Sequence, residues 1–303
     1  MPVITIRQGT ENDLFVTFKV CRLSLAGVLI DLQIEQRLPT HDEIVARYAY
    51  YREFMKHIYE TCDQFWVAET DGEVVGYARS IMRDGVRQLT EFFILQEYQS
   101  CGVGLQLLEK TFPAEGAQNR IICASPNVNA LGRYLKTGLR SQTTIYEWSR
   151  KPEVVPFETD LLIQPIKDAP ENIAILNEID QSIIGYTRGI DHHWFIKYRH
   201  GHFYLRKNKV AGYSYFGNRA GPIAMLDNKD FFTALAHVES EMTKTVDDVY
   251  NEVIFCVPMN NFPALDYVLK RGYKTVPFFE HFLTEKLLGN FKNYVFTDPI
   301  FIV

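Results

Sequence analysis

Two rhythms of apolar and polar positions run along this chain. Ile44, Tyr48, Tyr51, Met55 and Ile58 recur at three- and four-residue spacing, which places them on one stripe of an α-helix. Thr40 stands before that run with Glu43 three residues on. In that pairing each side chain accepts a hydrogen bond from the other residue's backbone amide at a helix start. An earlier helix is predicted from Asn12 to about Val28. Period-two stretches follow. VITIR (3–7) reads as a short strand, and FWVAETDGEVVGYARSIM (65–82) as two strands around Asp71-Gly72, a strong hairpin signal. QLTEFFIL (88–95) is a third strand. GVGLQLLEKTF (102–112) is a helix, RIICAS (120–125) a strand, NVNALGRYLKTG (127–138) a helix and TTIYEWSR (143–150) a closing strand. The predicted class is α/β, a twisted mixed β-sheet flanked by helices.

At 303 residues the chain is long enough for two domains. RKPEVVPFETD (150–160) holds two prolines, several charges and no clear period, so a linker is expected at 151–160, between domains 1–150 and 161–303. The second half repeats features of the first. Gly76 and Tyr77 correspond to Gly212 and Tyr213 at a shift of 136; Asn127, Ala130 and Gly138 correspond to Asn261, Ala264 and Gly272 at a shift of 134. Two nearly equal shifts over that distance predict a tandem duplication, not a solenoid.

Charge and cysteine usage narrow the classes. A net charge of -5 argues against a surface that tracks nucleic acid. The five scattered cysteines form no CxxC pair and no zinc-type spacing. With no apolar leader at the start and no run of membrane-spanning length, the expectation is a reduced, cytoplasmic protein without a membrane partner. Four histidines, His192, His193, His200 and His202, lie in DHHWFIKYRHGH; without a ligand carboxylate or cysteine at a familiar spacing they read as a polar, aromatic surface, and no metal is expected.

Chemistry concentrates in QSCGVG. Gln99, Gly102 and Gly104 sit between a predicted strand and the start of a helix. Glycines let backbone amides turn toward an anion without a Cβ in the way, and a helix start adds unpaired N–H groups and the positive end of the dipole. There is no Gly-Lys-Ser/Thr, and GxGxxG fails at Gln106 and Leu107. FFILQEYQSCGVGLQLLEK resembles the acetyl-CoA motif of the GNAT superfamily of N-acetyltransferases, Gln/Arg-x-x-Gly-x-Gly/Ala after a strand and before a helix. NVNALGRYLKTGL resembles the family's second signature through Asn127, Ala130, Tyr134, Gly138 and Leu139. The likeness covers residues 3–150 well and 160–303 in outline. Two positions depart from it: Gln96 stands where a proline is usual, and Cys101 where a basic residue or glycine is common.

The resemblance implies direct attack of an amine on the thioester of acetyl-CoA. Amides across Cys101, Gly102, Val103, Gly104 and Leu105, with Gln99 at the entrance, would hold the diphosphate. Ile94 and Gln96 would meet the pantetheine arm. Tyr134 shares a helix face with Asn127 and Ala130 and would be the acid; Glu91, on the strand before the turn, would be the base. Asn127 would cap its helix and could touch the cofactor as well. The acceptor is expected to be a small-molecule or peptide amine bound around residues 22–60, where Asp31 and Glu35 lie; homo-oligomerisation is left open. In the second half no Gln-x-x-Gly-x-Gly occurs, Asp227 and Asp230 stand at the loop, and Val268 replaces the tyrosine with Tyr267 one residue off. That half is expected to be a degenerate GNAT-like domain that does not bind acetyl-CoA. The rival readings are a non-catalytic acetyl-CoA-binding sensor or scaffold, and a transferase of a longer acyl group. The apolar ending DPIFIV is expected to dock as a strand.

Overall fold

Thr40 accepts a hydrogen bond from the Glu43 amide at 3.3 Å, and Glu43 accepts one from the Thr40 amide at 2.8 Å. This closed box starts α2 (His41–Glu60); of its expected apolar stripe, Ile44, Met55 and Ile58 are buried and Tyr48 and Tyr51 are half-buried. The computed structural model describes residues 3–99, 101–247, 251–297, 300, 302 and 303, and the chain divides into two compact units.

The first unit comprises Met1–Cys123 and Asn127–Leu139. Its elements, in order, are β1 (Thr5–Gln8), α1 (Leu14–Asp31), α2, β2 (Cys62–Thr70), β3 (Glu73–Arg83), β4 (Val86–Ile94), α3 (Val103–Thr111), β5 (Asn119–Ala124) and α4 (Val128–Lys136). The first four strands form an antiparallel meander, and β5 joins β4 in parallel. Asp71 and Gly72 both have positive φ, as a two-residue hairpin that follows strand twist demands. A second such turn, not among the expectations, joins β3 to β4 at Asp84-Gly85, where Asp-Gly carries the same local signal. Met55, Ile58, Val67, Tyr77, Leu107 and Ile121 are fully or almost fully buried between the sheet and its helices.

The second unit comprises Ala124–Pro126 and Arg140–Val303. It holds β6 (Arg140–Arg150), β7 (Leu162–Pro165), α5 (Pro170–Ile183), α6 (Gly189–Tyr198), β8 (His200–Arg206), β9 (Lys209–Phe216), β10 (Ala220–Met225), α7 (Phe231–Met242), β11 (Val253–Pro258), α8 (Phe262–Lys270), β12 (Phe279–Thr284) and β13 (Tyr294–Val295). Five strands run in the order β13-β10-β9-β8-β7, all antiparallel. The strand expected to close the first domain lies here: β6 pairs antiparallel with both β11 and β12. The compact units therefore divide at Leu139–Arg140, ahead of the 151–160 segment. Phe216, Phe231, Leu235, Phe255, Val257 and Val268 centre the core.

Two local expectations change. The four histidines do not make one polar surface. His192 is fully buried, with Nε2 2.8 Å from Asp180 and Nδ1 3.1 Å from the Tyr215 hydroxyl. Arg188 donates to the same Asp180 at 2.7 Å, and Tyr213 hydrogen-bonds its other oxygen. Burial pushes the Asp180 carboxyl up, but the charges of Arg188 and His192 outweigh it and hold the group below the usual carboxylate range. His193, by contrast, is exposed and pairs with Asp168. In DPIFIV, residues 298, 299 and 301 lie outside the described residues. Ile300, Ile302 and Val303 are buried without forming a strand, and Tyr186 donates to the Val303 carbonyl at 2.6 Å.

Candidate functional site

The site is built where β4 ends. β4 and β5 share register only from Val86↔Asn119 to Leu89↔Ile122, whereas β4 continues to Ile94. Its last residues pair with β3 on one side, through Phe92↔Ala78 and Ile94↔Gly76. Among the described residues they have no register partner on the β5 side. An unpaired strand edge offers backbone N–H and C=O groups to an extended chain laid alongside. Ile94, expected to meet such an arm, is the final residue of this edge; Gln96 follows, exposed, in a short 3-10 turn over Gln96–Tyr98.

The chain then turns into α3. Gly102 is its N-cap, with φ +81° and nothing near the place a Cβ would occupy, so it is glycine for its dihedral alone. Gly104 is glycine for space. A Cβ there would lie 2.2 Å from Arg133 Nη1, 3.1 Å from Ile94 Cδ1 and 3.2 Å from Phe92 Cζ. The Val103, Gly104 and Leu105 amides open the helix and have no intrahelical acceptor. The Leu105 side chain is 55% exposed. Gln99 donates from Nε2 to the Ile94 carbonyl at 3.0 Å, tying the loop to the strand end, a bond that sequence alone did not suggest. Cys101 is exposed, and its Sγ lies 3.6 Å from the Gln99 carbonyl. Ser100 lies outside the described residues.

Tyr134 comes to this place from α4. Asn127 caps that helix, its side chain accepting from the Ala130 amide at 3.0 Å, so the cap reading of Asn127 has its bond. Tyr134 is 4% exposed and meets the Phe92 ring edge-on at 6.2 Å. Its hydroxyl has no hydrogen-bond partner among the described residues. Burial raises the phenol well above its usual range, with the Arg133 charge pulling the other way, so the proton stays on near neutrality.

Glu91 faces the other way. Phe92 and Glu91 are neighbours on β4, and successive strand side chains point to opposite faces. The Glu91 side chain is fully buried: Oε1 accepts from the Tyr77 hydroxyl at 2.7 Å, and Oε2 lies 3.3 Å from Arg79 Nη1. Arg79 is also fully buried, with its guanidinium 4.2 Å over the Phe65 ring. A register shift between Arg79 and Ser80 makes Thr90 an extra residue, so simple strand alternation does not carry from Leu89 to Glu91. The Glu91 environment is thus an ion pair with an ordering hydroxyl, which no local pattern announced.

The corresponding stretch of the second unit differs at each point. Before α7, Asp227 caps the Lys229 amide at 3.1 Å, and Asp230 is held by Arg206 at 2.8 Å. Two carboxylates thus occupy that helix start. Val268 is buried, and Tyr267 donates its hydroxyl to Glu239 at 2.6 Å. Among the described residues no group of three or more His, Cys, Asp and Glu could hold a metal ion, and no helix is long and apolar enough to cross a membrane.

Residues 30–139 match the sequence model of the Acetyltransferase (GNAT) family. No curated protein is similar enough in sequence to count as a match. Among solved structures, a candidate acetyltransferase from Pyrococcus horikoshii superposes with a TM-score of 0.71 at 13% identity, covering 96% of this chain and 92% of its own. A GCN5-related N-acetyltransferase from Sphaerobacter thermophilus gives 0.60 at 10% identity, with 95% and 96% covered. A tandem GNAT protein from the clavulanic acid biosynthesis pathway gives 0.57 at 12%, with 93% and 98% covered. The chain has the GNAT acetyltransferase fold.

Proposed function

We propose that the chain is an acetyl-CoA-dependent N-acetyltransferase whose working site is the β4–α3 turn and Tyr134. The observation that carries this reading is the unpaired end of β4 leading into the Gly102 turn. A strand edge for an extended arm and a helix start for a diphosphate stand in that order along the chain, between Ile94 and Leu105. The donor, when bound, supplies an acetyl group from its thioester to an amine of a small molecule or peptide, with the CoA thiol as the leaving group.

The amides of Val103, Gly104 and Leu105 hold the diphosphate, and the edge at Ile94 aligns the arm. Gly102 sets the turn, and Gln99 braces the loop to the strand. Tyr134 donates its proton to the departing thiolate; a hydroxyl with no partner among the described residues is free to do so. Glu91 is the base for the attacking amine, with Tyr77 and Arg79 fixing its orientation. Asn127 serves as a cap.

We read the chain as two GNAT-like copies, with the second silent. Both halves run strand, two helices, three strands, helix, strand, helix. Gly76 and Gly212 occupy matching places, each opposite the last residue of the following strand, Ile94 and Met225. The carboxylates before α7 and the engaged hydroxyl of Tyr267 argue against a second cofactor site there. Release of free thiol from acetyl-CoA across a panel of amines tests the activity. Amine-dependent release that is abolished in Tyr134→Phe supports it. Tight binding with no release on any amine makes the protein a sensor, and release from longer acyl thioesters in preference to acetyl changes the donor.

A further inference from the structure

A diphosphate brings two negative charges, yet the segment that would cradle it has no cation. From Phe92 to Glu109 there is no lysine or arginine, and Glu97 adds a negative charge. The two nearest basic residues in sequence are engaged elsewhere. Arg87 is held by Asp63 at 2.8 Å and by the Glu115 carbonyl at 2.8 Å, and Lys110 sits 4.3 Å over the Trp66 ring. The charge arrives instead from α4. Arg133 places Nη1 2.2 Å from where a Cβ on Gly104 would be, against the first turn of α3. It is partly buried, and its guanidinium has no carboxylate or other hydrogen-bond acceptor among the described residues. A guanidinium beside open helix amides is suited to an anion with two acceptor oxygens, which it can grip bidentately.

Resting on the function proposed above, we infer that Arg133 is the cation of the diphosphate site, supplied by α4 in place of a basic residue in the turn. The position of Cys101 then loses its significance, because the charge has moved to a different element. Gly104 gains a second purpose: any larger residue would displace the arginine as well as crowd the Ile94 and Phe92 side chains. The same arrangement brings the two signatures together, since the residue beside Tyr134 reaches the first turn of α3.

The test is calorimetric binding of CoA, 3′-dephospho-CoA and pantetheine to the full chain and to Arg133→Gln and Arg133→Lys, with thermal melts alongside. Replacing the guanidinium by the neutral amide of Gln removes a charge-assisted hydrogen bond and is expected to weaken CoA roughly 10- to 30-fold. The same weakening is expected for 3′-dephospho-CoA, which keeps the diphosphate, and none for pantetheine, which lacks it. Lysine should restore part of the affinity, and both variants should melt within a few degrees of the parent. Equal CoA affinity in parent and Arg133→Gln overturns this inference and leaves the function standing. A weakening that disappears with 3′-dephospho-CoA moves the arginine to the 3′-phosphate and also overturns it. Failure of the parent to bind CoA overturns both.

Discussion

Leu105 allows the cradle to be tested by charge alone. It lies on the first turn of α3 with its side chain 55% exposed, so changing it removes little packing. In Leu105→Glu a carboxylate joins the positive end of the helix dipole, worth about 0.3–1 kcal/mol in favour of the fold. Giving up the partial burial of leucine costs a similar amount, about 1 kcal/mol at most. Stability should therefore hardly move, with a shift of the melting temperature of no more than ~4 °C. The effect on a bound diphosphate has the opposite sign. A carboxylate at about 8 Å repels each phosphate charge by roughly 0.5–2 kcal/mol between fully aqueous and surface-like dielectrics, and salt reduces this further. A net penalty of about 1–2 kcal/mol makes acetyl-CoA binding ~5- to 30-fold weaker. Leu105→Lys should strengthen binding by a similar factor while slightly weakening the helix, and Leu105→Gln should fall between. Titration calorimetry at two salt concentrations reads all three, with the spread narrowing at high salt. Equal affinity of the Glu and Lys variants would refute the placement of an anion at this helix start.

Tyr134→Phe removes a hydroxyl that bonds no described residue, so folding should be unaffected to within ~1 kcal/mol, while turnover falls about 10²- to 10⁴-fold with CoA affinity unchanged; unaltered turnover removes it from the mechanism. Glu91→Gln separates two roles. In either role the variant leaves buried Arg79 without its carboxylate, at a cost of about 3–5 kcal/mol; a base also loses the acidic limb of the pH–rate profile, and a limb that is kept removes Glu91 from the mechanism. In the second unit, burial depresses His237 to about 4, and its Nδ1 is 2.9 Å from the Tyr204 hydroxyl. Its unfolded state takes up a proton near pH 6.5 and its folded state does not until about pH 4, so stability is complete above 6.5 and declines by up to ~3 kcal/mol as the pH falls between them. Denaturant melts at pH 7 and pH 4.5 should show this dependence reduced in His237→Gln, and an equal decline in both proteins would refute the assignment.

The parts of the fold that were legible in sequence are those decided by neighbours in the chain. Thr40 and Glu43, Asp71 and Gly72, and Asn127 with Ala130 each complete their bonds within a few residues. Gly102 belongs with them, because its positive φ is a local demand. What was not legible depends on meetings between distant elements. Nothing near Glu91 marks its pairing with Arg79 across the β3–β4 ladder, and nothing near Arg133 places it on Gly104. The pairing of β6 with β11 and β12 joins residues more than a hundred positions apart, which no composition shift at 140 signals. His192 looked like one member of a polar cluster because its partner Asp180 lies on another helix. The site was therefore readable as a backbone feature and unreadable as an arrangement of charges.

The proposed function stands on one working site per chain, at the Gly102 turn. Calorimetric titration of the whole chain with acetyl-CoA decides this, run in parallel on Leu105→Glu. One acetyl-CoA per chain is expected, with a weakened but still single site in the variant. Two equivalents per chain, or an unchanged affinity in Leu105→Glu, would contradict it.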